Sequence, residues 1–288
     1  MSLLRCPVCQ QQLSETENKK SFQCDNNHLF DRSKQGYVNL LLNHQKKSKK
    51  PGDTQEMVKA RSAFLNHEYY RPVAQAFVEL AKRHARTQKP NDNAYAYLDI
   101  ACGEGYYTSA MHNALCDVTR FQHSIQTYGL DISTPAIKAA AKRNPEITWL
   151  VASAYQLPLP SKAIDFASCL FCRLDYEEVH RVLKSEGVCI VATTGPNHLI
   201  ELRELIYDKL KSDPVPLSAQ SKLSTKLEII AQESIQNSVA INSREMISNL
   251  LLMTPHYWRS TLSARQKIDK LEQLTVTVDI AFTVFKKT

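Results

Sequence analysis

The sequence predicts a mainly parallel α/β domain that follows a small metal-binding module. From Tyr95 onward, short apolar runs alternate with helical or loop segments, a pattern typical of parallel strands joined by crossovers. Before Asn43 the chain is short, polar and too poor in apolar residues for a substantial core, so its folding requires a cross-link such as a bound metal. We therefore divide the chain into a module over residues 1–43, a linker with a helical connector over 44–72, and the α/β domain over 73–288.

Six segments of the domain have strand character. Five are short apolar runs, and the sixth is a longer β-branched run near the C-terminus. In chain order they read YAYLDIA, QTYGLDI, ITWLVA, AIDFASCLF, GVCIVATT and LTVTVDIAFTVF. Helices are expected in the amphipathic segments between and around them: after a cap at Asp53 or Thr54, after Pro72, after Gly105, and over TPAIKAAAKR, EEVHRVLK, Ile200 to Leu210 and Arg244 to Leu252.

Composition and charge narrow the class of protein. No run approaches the roughly 18 apolar residues of a membrane span, and the first residues lack a signal peptide's apolar region, so we expect a cytoplasmic protein with no membrane partner. The net charge is +7, and no acidic residue lies between Asp31 and Asp53. This basic window is typical of either a solvated surface or a phosphate-binding one. Its cations are Arg32, Lys34, Lys46, Lys47, Lys49 and Lys50.

Three cysteines and a histidine in the module have the spacing of a zinc site. Cys6, Cys9, Cys24 and His28 form the pattern C-x2-C-x14-C-x3-H, which supplies the four ligands of a closed tetrahedral site. The alternative is a set of free thiols that lie near a histidine. A closed site leaves no position for a reacting water, so we predict one structural zinc ion. A second C-x2-C, at Cys169 and Cys172, lacks a further ligand pair and is interpreted as strand packing.

A glycine-rich turn after the first strand predicts a cofactor site. Gly103 and Gly105 lie between a strand and a helical run, where backbone N–H groups and a helix N-terminus can meet a ligand. Thr108 occupies the third glycine position of a dinucleotide-binding fingerprint, which argues against a dinucleotide. Asp99 precedes the turn, and Asp131, at the end of the second strand, can accept hydrogen bonds from both ribose hydroxyls.

These features resemble the class I S-adenosylmethionine-dependent methyltransferases, which have a Rossmann-like fold and a first motif that commonly reads D-x-G-x-G-x-G. The resemblance implies that Asp99 orders the turn and the methionine ammonium, and that Gly103 and Gly105 make room for the cofactor. Ala101 departs from the first glycine of the motif. The cofactor-binding residues expected in or next to the turn and at the second strand are Asp99, Gly103, Glu104, Gly105, Tyr107, Thr108 and Asp131.

The order of zinc module and cofactor turn, together with several shorter motifs, resembles the bacterial 23S rRNA guanine-N1 methyltransferase family of the RlmA type. The resemblance implies methyl transfer from S-adenosylmethionine to N1 of a guanine in an RNA hairpin loop, with the zinc module recognising the hairpin. It also implies that Tyr70 and His198 lie near the cofactor, and that the protein can form homodimers. The motifs are GYVNLL, KKPGD, ARSAFL, YRP, DIACGEGYYT, GLDIS, IKAAAKR, GPNHL and LLLMTPHYW.

The segment after the fourth strand departs from this family, in which an aromatic-Ala-Pro-Cys sequence is usual. Here it reads Phe171-Cys172-Arg173-Leu174-Asp175. Arg173 could stabilise the guanine O6 and Asp175 could accept the N1 proton, so both are candidate catalytic residues. The alternative is a surface arginine and a helix cap. Because of this departure, an RNA-binding or regulatory protein with changed or lost activity stands as the alternative function, and a small-molecule or protein methyltransferase as a third.

Overall fold

The computed structural model of the chain describes residues 2–46, 48–49, 51–85, 94–117, 125–207 and 227–288. Lys47 and Lys50 of the basic window, and the end of the helix expected to reach Leu210, lie outside these residues. The strands in the described ranges are β1 (Ser14–Glu15), β2 (Ser21–Gln23), β3 (Leu29–Asp31), β4 (Val38–Asn39), β5 (Tyr95–Ile100), β6 (Ile125–Asp131), β7 (Thr148–Val151), β8 (Ile164–Leu170), β9 (Leu183–Thr194), β10 (Leu227–Ile241) and β11 (Leu274–Lys287).

Eight of these strands form one sheet, in the order β10-β11-β9-β8-β5-β6-β7-β4. The six from β9 to β4 are parallel, and β11 and β10 add an antiparallel edge. The mainly parallel sheet predicted from the sequence is therefore confirmed, while β4 and β10 were not predicted. The chain passes from β5 to β6 on one side and later to β8 on the other. Such a reversal opens a crevice at the carboxyl ends of the strands.

Besides a short 3-10 helix over Asn43–Gln45, the described ranges contain nine α-helices, and polar side chains cap several of them. Thr54 Oγ1 accepts a hydrogen bond from Met57 N at 3.3 Å, as one of the two expected caps. The helices are α1 (Gln55–Asn66), α2 (Arg71–His84), α3 (Tyr106–Cys116), α4 (Thr134–Arg143), α5 (Tyr176–Val182), α6 (Ile200–Ile206), α7 (Arg244–Leu252), α8 (His256–Arg259) and α9 (Leu262–Ile268). None of the helices in the described part of the chain combines the length and apolar composition that a membrane span requires.

The N-terminal module packs on the edge of the large sheet. Its strands β1, β2 and β3 form a separate antiparallel sheet, whereas β4 pairs with β7. The backbone N–H of Leu40 donates to Val151 O at 2.9 Å, and that of Arg5 donates to Pro158 O at 2.9 Å. Leu4 belongs to the same buried cluster as residues of β5 and β6. The module and the domain therefore share part of one apolar core. The domain boundary at residue 43 stays a prediction.

One face of the large sheet is covered by helices of the connector and of the C-terminal part. Phe64 of α1 and Phe77 of α2 are fully buried with Ile247 and Leu250 of α7 in one apolar cluster. Burial of side chains of this size contributes roughly 1.5 to 3 kcal/mol each. This packing fixes α1, and the loop before it, beside the carboxyl end of β6.

Candidate active site and metal centre

The four predicted zinc ligands converge in the module. Their ligand atoms all lie within 4.8 Å of one another. The Nδ1 atom of His28 lies 3.3 Å from Cys24 Sγ and 3.6 Å from Cys6 Sγ, and Cys9 Sγ lies 3.6 Å from Cys24 Sγ. Tetrahedral coordination with bonds of about 2.0 to 2.3 Å places ligand atoms about 3.3 to 3.8 Å apart. The donor set and its spacing therefore fit one closed structural zinc site.

Tight turns bring these ligands together. The backbone N–H of Gln10 donates to Cys6 O at 2.8 Å, and that of Asn27 donates to Cys24 O at 2.9 Å. Both donors have positive φ, 61° and 60°, which lets the chain reverse within each knuckle. The local sequence thus places two ligands on each of two loops, and the packing of the module on the sheet holds the loops face to face.

Asp99 fastens the cofactor turn to the sheet. It accepts hydrogen bonds from Thr108 Oγ1 at 2.5 Å and from Ser168 Oγ at 2.6 Å. Asp99 is only 2% exposed, and burial raises the pKa of its carboxyl to about 6. Because both carboxylate oxygens already accept hydrogen bonds from β8 and α3, its direct effect is on the shape of the turn.

Asp131, at the carboxyl end of β6, faces the same turn. Its Oδ2 accepts from the Gly103 N–H at 3.0 Å, and its Oδ1 accepts from the Ser133 N–H at 2.7 Å. Burial raises the pKa of this carboxyl. Each oxygen retains a lone pair for a ligand hydroxyl, since a carboxylate has about four acceptor positions.

Two glycines of the turn have left-handed backbone, as does an alanine. The φ angles are 58° at Ala101, 58° at Gly103 and 82° at Gly105. A Cβ at Gly105 would lie 2.7 Å from the Trp149 ring and 3.0 Å from Ala140 Cβ, so only glycine fits there. Ala101 adopts, with a side chain, the conformation that glycine takes without strain.

Two buried polar atoms in the described part of the chain lack a protein partner beside this turn. Glu104 is 2% exposed, and its Oε2 accepts from Arg143 Nε at 2.9 Å and from Ser62 Oγ at 3.2 Å, but its Oε1 has no partner. The hydroxyl of Tyr107 is likewise buried and unpaired. Leaving such atoms unpaired costs about 1 to 3 kcal/mol each. Both residues line the cavity described next, but neither atom is reached by solvent in this structure.

A cavity of about 1680 Å³ opens at the carboxyl ends of β5, β6, β8 and β9. Ligand pockets are usually about 300 to 1,000 Å³, so this one has room for a nucleoside cofactor and a second ring system. Its lining includes the turn and Asp131. It also includes Phe171, whose ring centroid lies 5.8 Å from that of Tyr107, together with Arg173, Tyr207 and the segment around His256.

Tyr70 and His198 meet on the wall of this cavity. The Asp279 N–H donates to His198 Nδ1 at 3.3 Å, which leaves the proton of the neutral ring on Nε2, 3.4 Å from the Tyr70 hydroxyl. Burial lowers the pKa of His198 to about 4, so the imidazole is uncharged near neutral pH. The sequence pattern alone did not single out either residue; only the resemblance did.

The two predicted catalytic residues in the segment after β8 have different surroundings. Arg173 lines the cavity, but Asp175 does not. Asp175 Oδ1 accepts from the N–H groups of Glu177 and Glu178, each at 3.1 Å, and so caps α5. Cys169 is buried in β8 as expected of strand packing, whereas Cys172 is exposed and lines the cavity. A hydrogen bond from the Cys169 thiol lowers the pKa of Cys172 to about 7.

The segment before α1, and α1 itself, form part of the cavity wall. From the sequence, these residues were predicted only to be a linker and helical connector. The Ser133 hydroxyl donates to Asp53 O at 2.7 Å, and a Cβ at Gly52 would lie 2.7 Å from Ser133 Cβ. Arg61 forms an ion pair with Asp53, donates to Met253 O at 2.9 Å and lies over Gly103. The motifs KKPGD and ARSAFL were the only sequence signal for these residues.

Comparison with known proteins agrees with this two-part architecture. A family model described as the RlmA N-terminal zinc ribbon matches residues 4–49, and a methyltransferase domain model matches residues 98–191. A putative 23S rRNA (guanine-N1) methyltransferase of Bacillus subtilis is 27% identical, over 97% of this chain and 95% of that protein. The 23S rRNA (guanine(748)-N1) methyltransferase of Streptomyces fradiae is 28% identical, over 98% of this chain and 95% of that protein.

Among solved structures, the MccD protein matches 75% of this chain and 99% of its own at 18% identity, with a TM-score of 0.48. The family models, together with the cysteine and histidine cluster, confirm the predicted class I methyltransferase fold with an N-terminal zinc-binding domain. They also support S-adenosylmethionine and one structural zinc ion as its cofactors.

Proposed function

We propose that the protein methylates N1 of a guanine in a hairpin loop of 23S rRNA. The observation that carries this proposal is the similarity, at 27% and 28% identity, to two proteins named 23S rRNA (guanine-N1) methyltransferases over 97% and 98% of this chain, a span that includes both its zinc module and its methyltransferase domain. N1 lies on the Watson–Crick edge of guanine, so the base must be unpaired when it enters the cavity.

The cofactor is proposed to occupy the end of the cavity near the turn. Asp131 accepts the ribose hydroxyls, while Gly103 and Gly105 let the backbone approach the ligand. Glu104 and Tyr107 line the cavity and each has an unpaired polar atom, so we propose that these side chains turn toward the methionine end when the cofactor binds. Asp99 and Thr108 hold the turn in shape through their mutual hydrogen bond. Tyr70 and His198 form the adjoining wall, where an uncharged imidazole adds no repulsion toward a sulfonium.

S-adenosylmethionine, when bound, supplies an electrophilic methyl group, so the protein mainly positions the guanine and excludes water. The guanine is proposed to enter the cavity between Phe171 and the segment around His256. Arg173 also lines the cavity and can donate to O6 as negative charge develops there. Removal of the N1 proton by Asp175 remains a prediction, because its carboxylate caps α5 in this structure.

Substitutions at Asp175 distinguish these two roles. Serine is a good helix cap but a poor base, so Asp175→Ser retains the cap and removes the carboxylate. If Asp175 is only a cap, Asp175→Ser keeps nearly full activity and Asp175→Ala lowers the stability by about 1 kcal/mol. If it is the base, both variants lose methyl transfer by about 100-fold or more at unchanged cofactor affinity. Single-turnover methylation with calorimetric cofactor binding measures the difference.

The zinc module and the basic window are proposed to hold the RNA. Double-stranded RNA is recognised by shape and phosphate contacts, which the cations from Arg32 to Lys49 can supply beside the folded module. Glutamine at Lys34, Lys46 and Lys49 should weaken RNA binding and reduce its salt dependence without changing cofactor affinity. A homodimer and a cytoplasmic location remain predictions. Sedimentation of the purified protein and fractionation of cells test them.

Modification mapping of 23S rRNA tests the proposed function directly. RNA from cells without this protein should lack one N1-methylguanine, and the wild-type gene, but not an Asp131→Ala variant, should restore it. The divergent segment from Phe171 to Asp175 favours one alternative, an RNA-binding protein with changed or lost activity. Binding of both the cofactor and 23S rRNA with an unchanged modification map would support that alternative and refute the enzyme proposal.

A further inference from the structure

An exposed tryptophan lies at the rim of the cavity. Trp258, in α8, is 63% exposed, although its neighbours His256 and Arg259 line the cavity. The only other tryptophan, Trp149, is 1% exposed. An aromatic side chain of this size on the surface is typical of a recognition site, particularly where it adjoins a ligand cavity.

The surroundings of Trp258 hold its ring in place. The Tyr257 ring contacts it edge to face, with centroids 5.2 Å apart and planes at 88°. The Arg265 guanidinium covers Tyr257 at 4.2 Å and donates to Ser260 Oγ at 2.9 Å. Trp258 therefore rests on a packed support, so little side-chain entropy is lost when a ligand stacks on it.

The charge of the sequence around Trp258 suits a polyanion. Arg259 is the next residue in the chain, and Arg265 lies over the ring of the neighbouring Tyr257. Between Met253 and Lys270 the chain has four cationic side chains and one carboxylate. The carboxylate, Asp269, accepts a hydrogen bond from Ser248 Oγ at 2.9 Å. The cations are Arg259, Arg265, Lys267 and Lys270. An aromatic face flanked by cations is the usual combination for single-stranded nucleic acid, because the bases stack and the phosphates pair with the charges.

We propose that Trp258 is a stacking platform for an unpaired RNA base that flanks the target guanine, with Arg259 beside it contacting the RNA backbone. This inference rests on the proposed function, since it takes the substrate to be RNA whose target base occupies the cavity. A base next to the target must remain outside the cavity, and α8 offers it an exposed aromatic face there. Tyr155, 60% exposed, and Phe171, 40% exposed, are further exposed aromatic residues, but they line the cavity itself. The platform favours an RNA loop over a paired stem, because only unpaired bases present a free face.

Three variants of the full-length protein test the platform. Trp258→Ala should raise the KM for an unmodified 23S rRNA transcript about 10-fold, within a range of roughly 5- to 100-fold for one stacked base, at nearly unchanged kcat and cofactor affinity. Trp258→Phe retains an aromatic face and should stay within about 3-fold of wild type. Leu262→Ala is the matched control, because Leu262 is 70% exposed in the neighbouring α9 and lies off the cavity.

Tryptophan emission provides a second measurement. Because Trp149 is buried, quenching of emission by the transcript should report Trp258 and should disappear in Trp258→Phe. If wild type methylates the transcript and Trp258→Ala has the same KM, the platform is refuted and the proposed function stands. If wild type neither binds nor methylates the transcript, both fail. Equal losses of kcat and cofactor affinity in both Trp258 variants indicate a structural role instead. An effect confined to assembled ribosomal subunits assigns Trp258 to a protein contact. Each of these last two results also refutes the platform.

Discussion

Gly105→Ala and Ala101→Gly are expected to change the stability of the protein in opposite directions. Both positions have left-handed backbone, which costs a residue with a Cβ about 1 to 2 kcal/mol. At Gly105 the new methyl would also meet Trp149 at 2.7 Å and Ala140 at 3.0 Å, and overpacking of this kind costs about 1 to 3 kcal/mol. Alanine also makes the unfolded chain less flexible, which offsets about 0.4 to 1 kcal/mol of these costs. Gly105→Ala should therefore lower the free energy of unfolding by about 1.5 to 4 kcal/mol.

Ala101→Gly removes the backbone cost but makes the unfolded chain more flexible, which offsets about 0.4 to 1 kcal/mol of the gain. A net stabilisation of about 0.5 to 1 kcal/mol remains. Gly36→Ala is the matched control for Gly105→Ala, because Gly36 has a φ of 95° but no atom within 4 Å of a new Cβ. Gly36→Ala should lower the free energy of unfolding only by the backbone cost less the same unfolded-chain term, about 0.5 to 1 kcal/mol.

Guanidinium titration and thermal unfolding of the four proteins measure these differences. For a chain of this size, 1 kcal/mol corresponds to a change in Tm of roughly 2 to 4 °C. Saturating S-adenosylmethionine should raise the Tm of wild type and Gly36→Ala, but not that of Gly105→Ala, whose turn can no longer approach the cofactor. If Gly105→Ala is no less stable than Gly36→Ala, the close approach of the turn to Trp149 is wrong. A loss of stability in Ala101→Gly would contradict the left-handed backbone at residue 101.

Three further predictions concern the cofactor, the metal and pH. Asp131→Ala should weaken S-adenosylmethionine binding by about 10-fold or more, because hydrogen bonds to a charged group contribute about 1.5 to 3 kcal/mol; an unchanged Kd in calorimetry would exclude the ribose role. Metal analysis of wild type should find one zinc equivalent, most of which Cys24→Ser should lose, and full retention would contradict a four-ligand site. His198 has a pKa lowered from 6.5 to about 4 in the folded protein, so the unfolded chain takes up its proton first as the pH falls. This histidine therefore stabilises the fold above pH 6.5, and up to about 3 kcal/mol is lost as the pH falls from 6.5 to 4. Denaturant midpoints of His198→Gln should fall less than those of wild type over this window, whereas a titration midpoint near 6.5 by nuclear magnetic resonance would contradict the buried neutral ring.

The sequence predicted those strands whose signal is local. The five parallel strands β5 to β9 are apolar runs, because a sheet covered on both faces requires apolar side chains on both. Strand β10 reads LEIIAQESIQNSVAI and is mostly exposed. Its mixture of apolar and polar residues contains no long continuous apolar run, so its sequence does not distinguish it from a loop. It becomes a strand through its pairing with β11. Strand β4 has only two residues, and its place in the sheet depends on β7, more than one hundred residues away.

In the candidate site, too, only the features that depend on nearby residues could be predicted from the sequence. Ligand spacing predicted the zinc centre, and glycine spacing predicted the cofactor turn, because each depends on residues close together in the chain. The wall formed by Asp53 and Arg61 depends on contacts with Ser133 and Met253. No local pattern encodes those contacts. Asp175 shows a different limit. Its position before a helix predicts a capping role as well as a catalytic one, and in the structure its carboxylate caps α5.

The contacts of Arg61 determine which variants can distinguish a loss of RNA recognition from a loss of methyl transfer. Arg61 links the connector, through Asp53, to Met253, which lies just ahead of the rim helix α8, and it passes over the cofactor turn at Gly103. A deletion of residues 1–53 would remove β4 and Asp53 together with the basic window, exposing the sheet edge and breaking this link. Lost activity in such a deletion would therefore say nothing specific about RNA. Substitutions of exposed side chains, such as Lys49 on the connector and Trp258 on the rim, leave the cofactor wall in place, so a change in KM for RNA with unchanged cofactor affinity can be assigned to recognition.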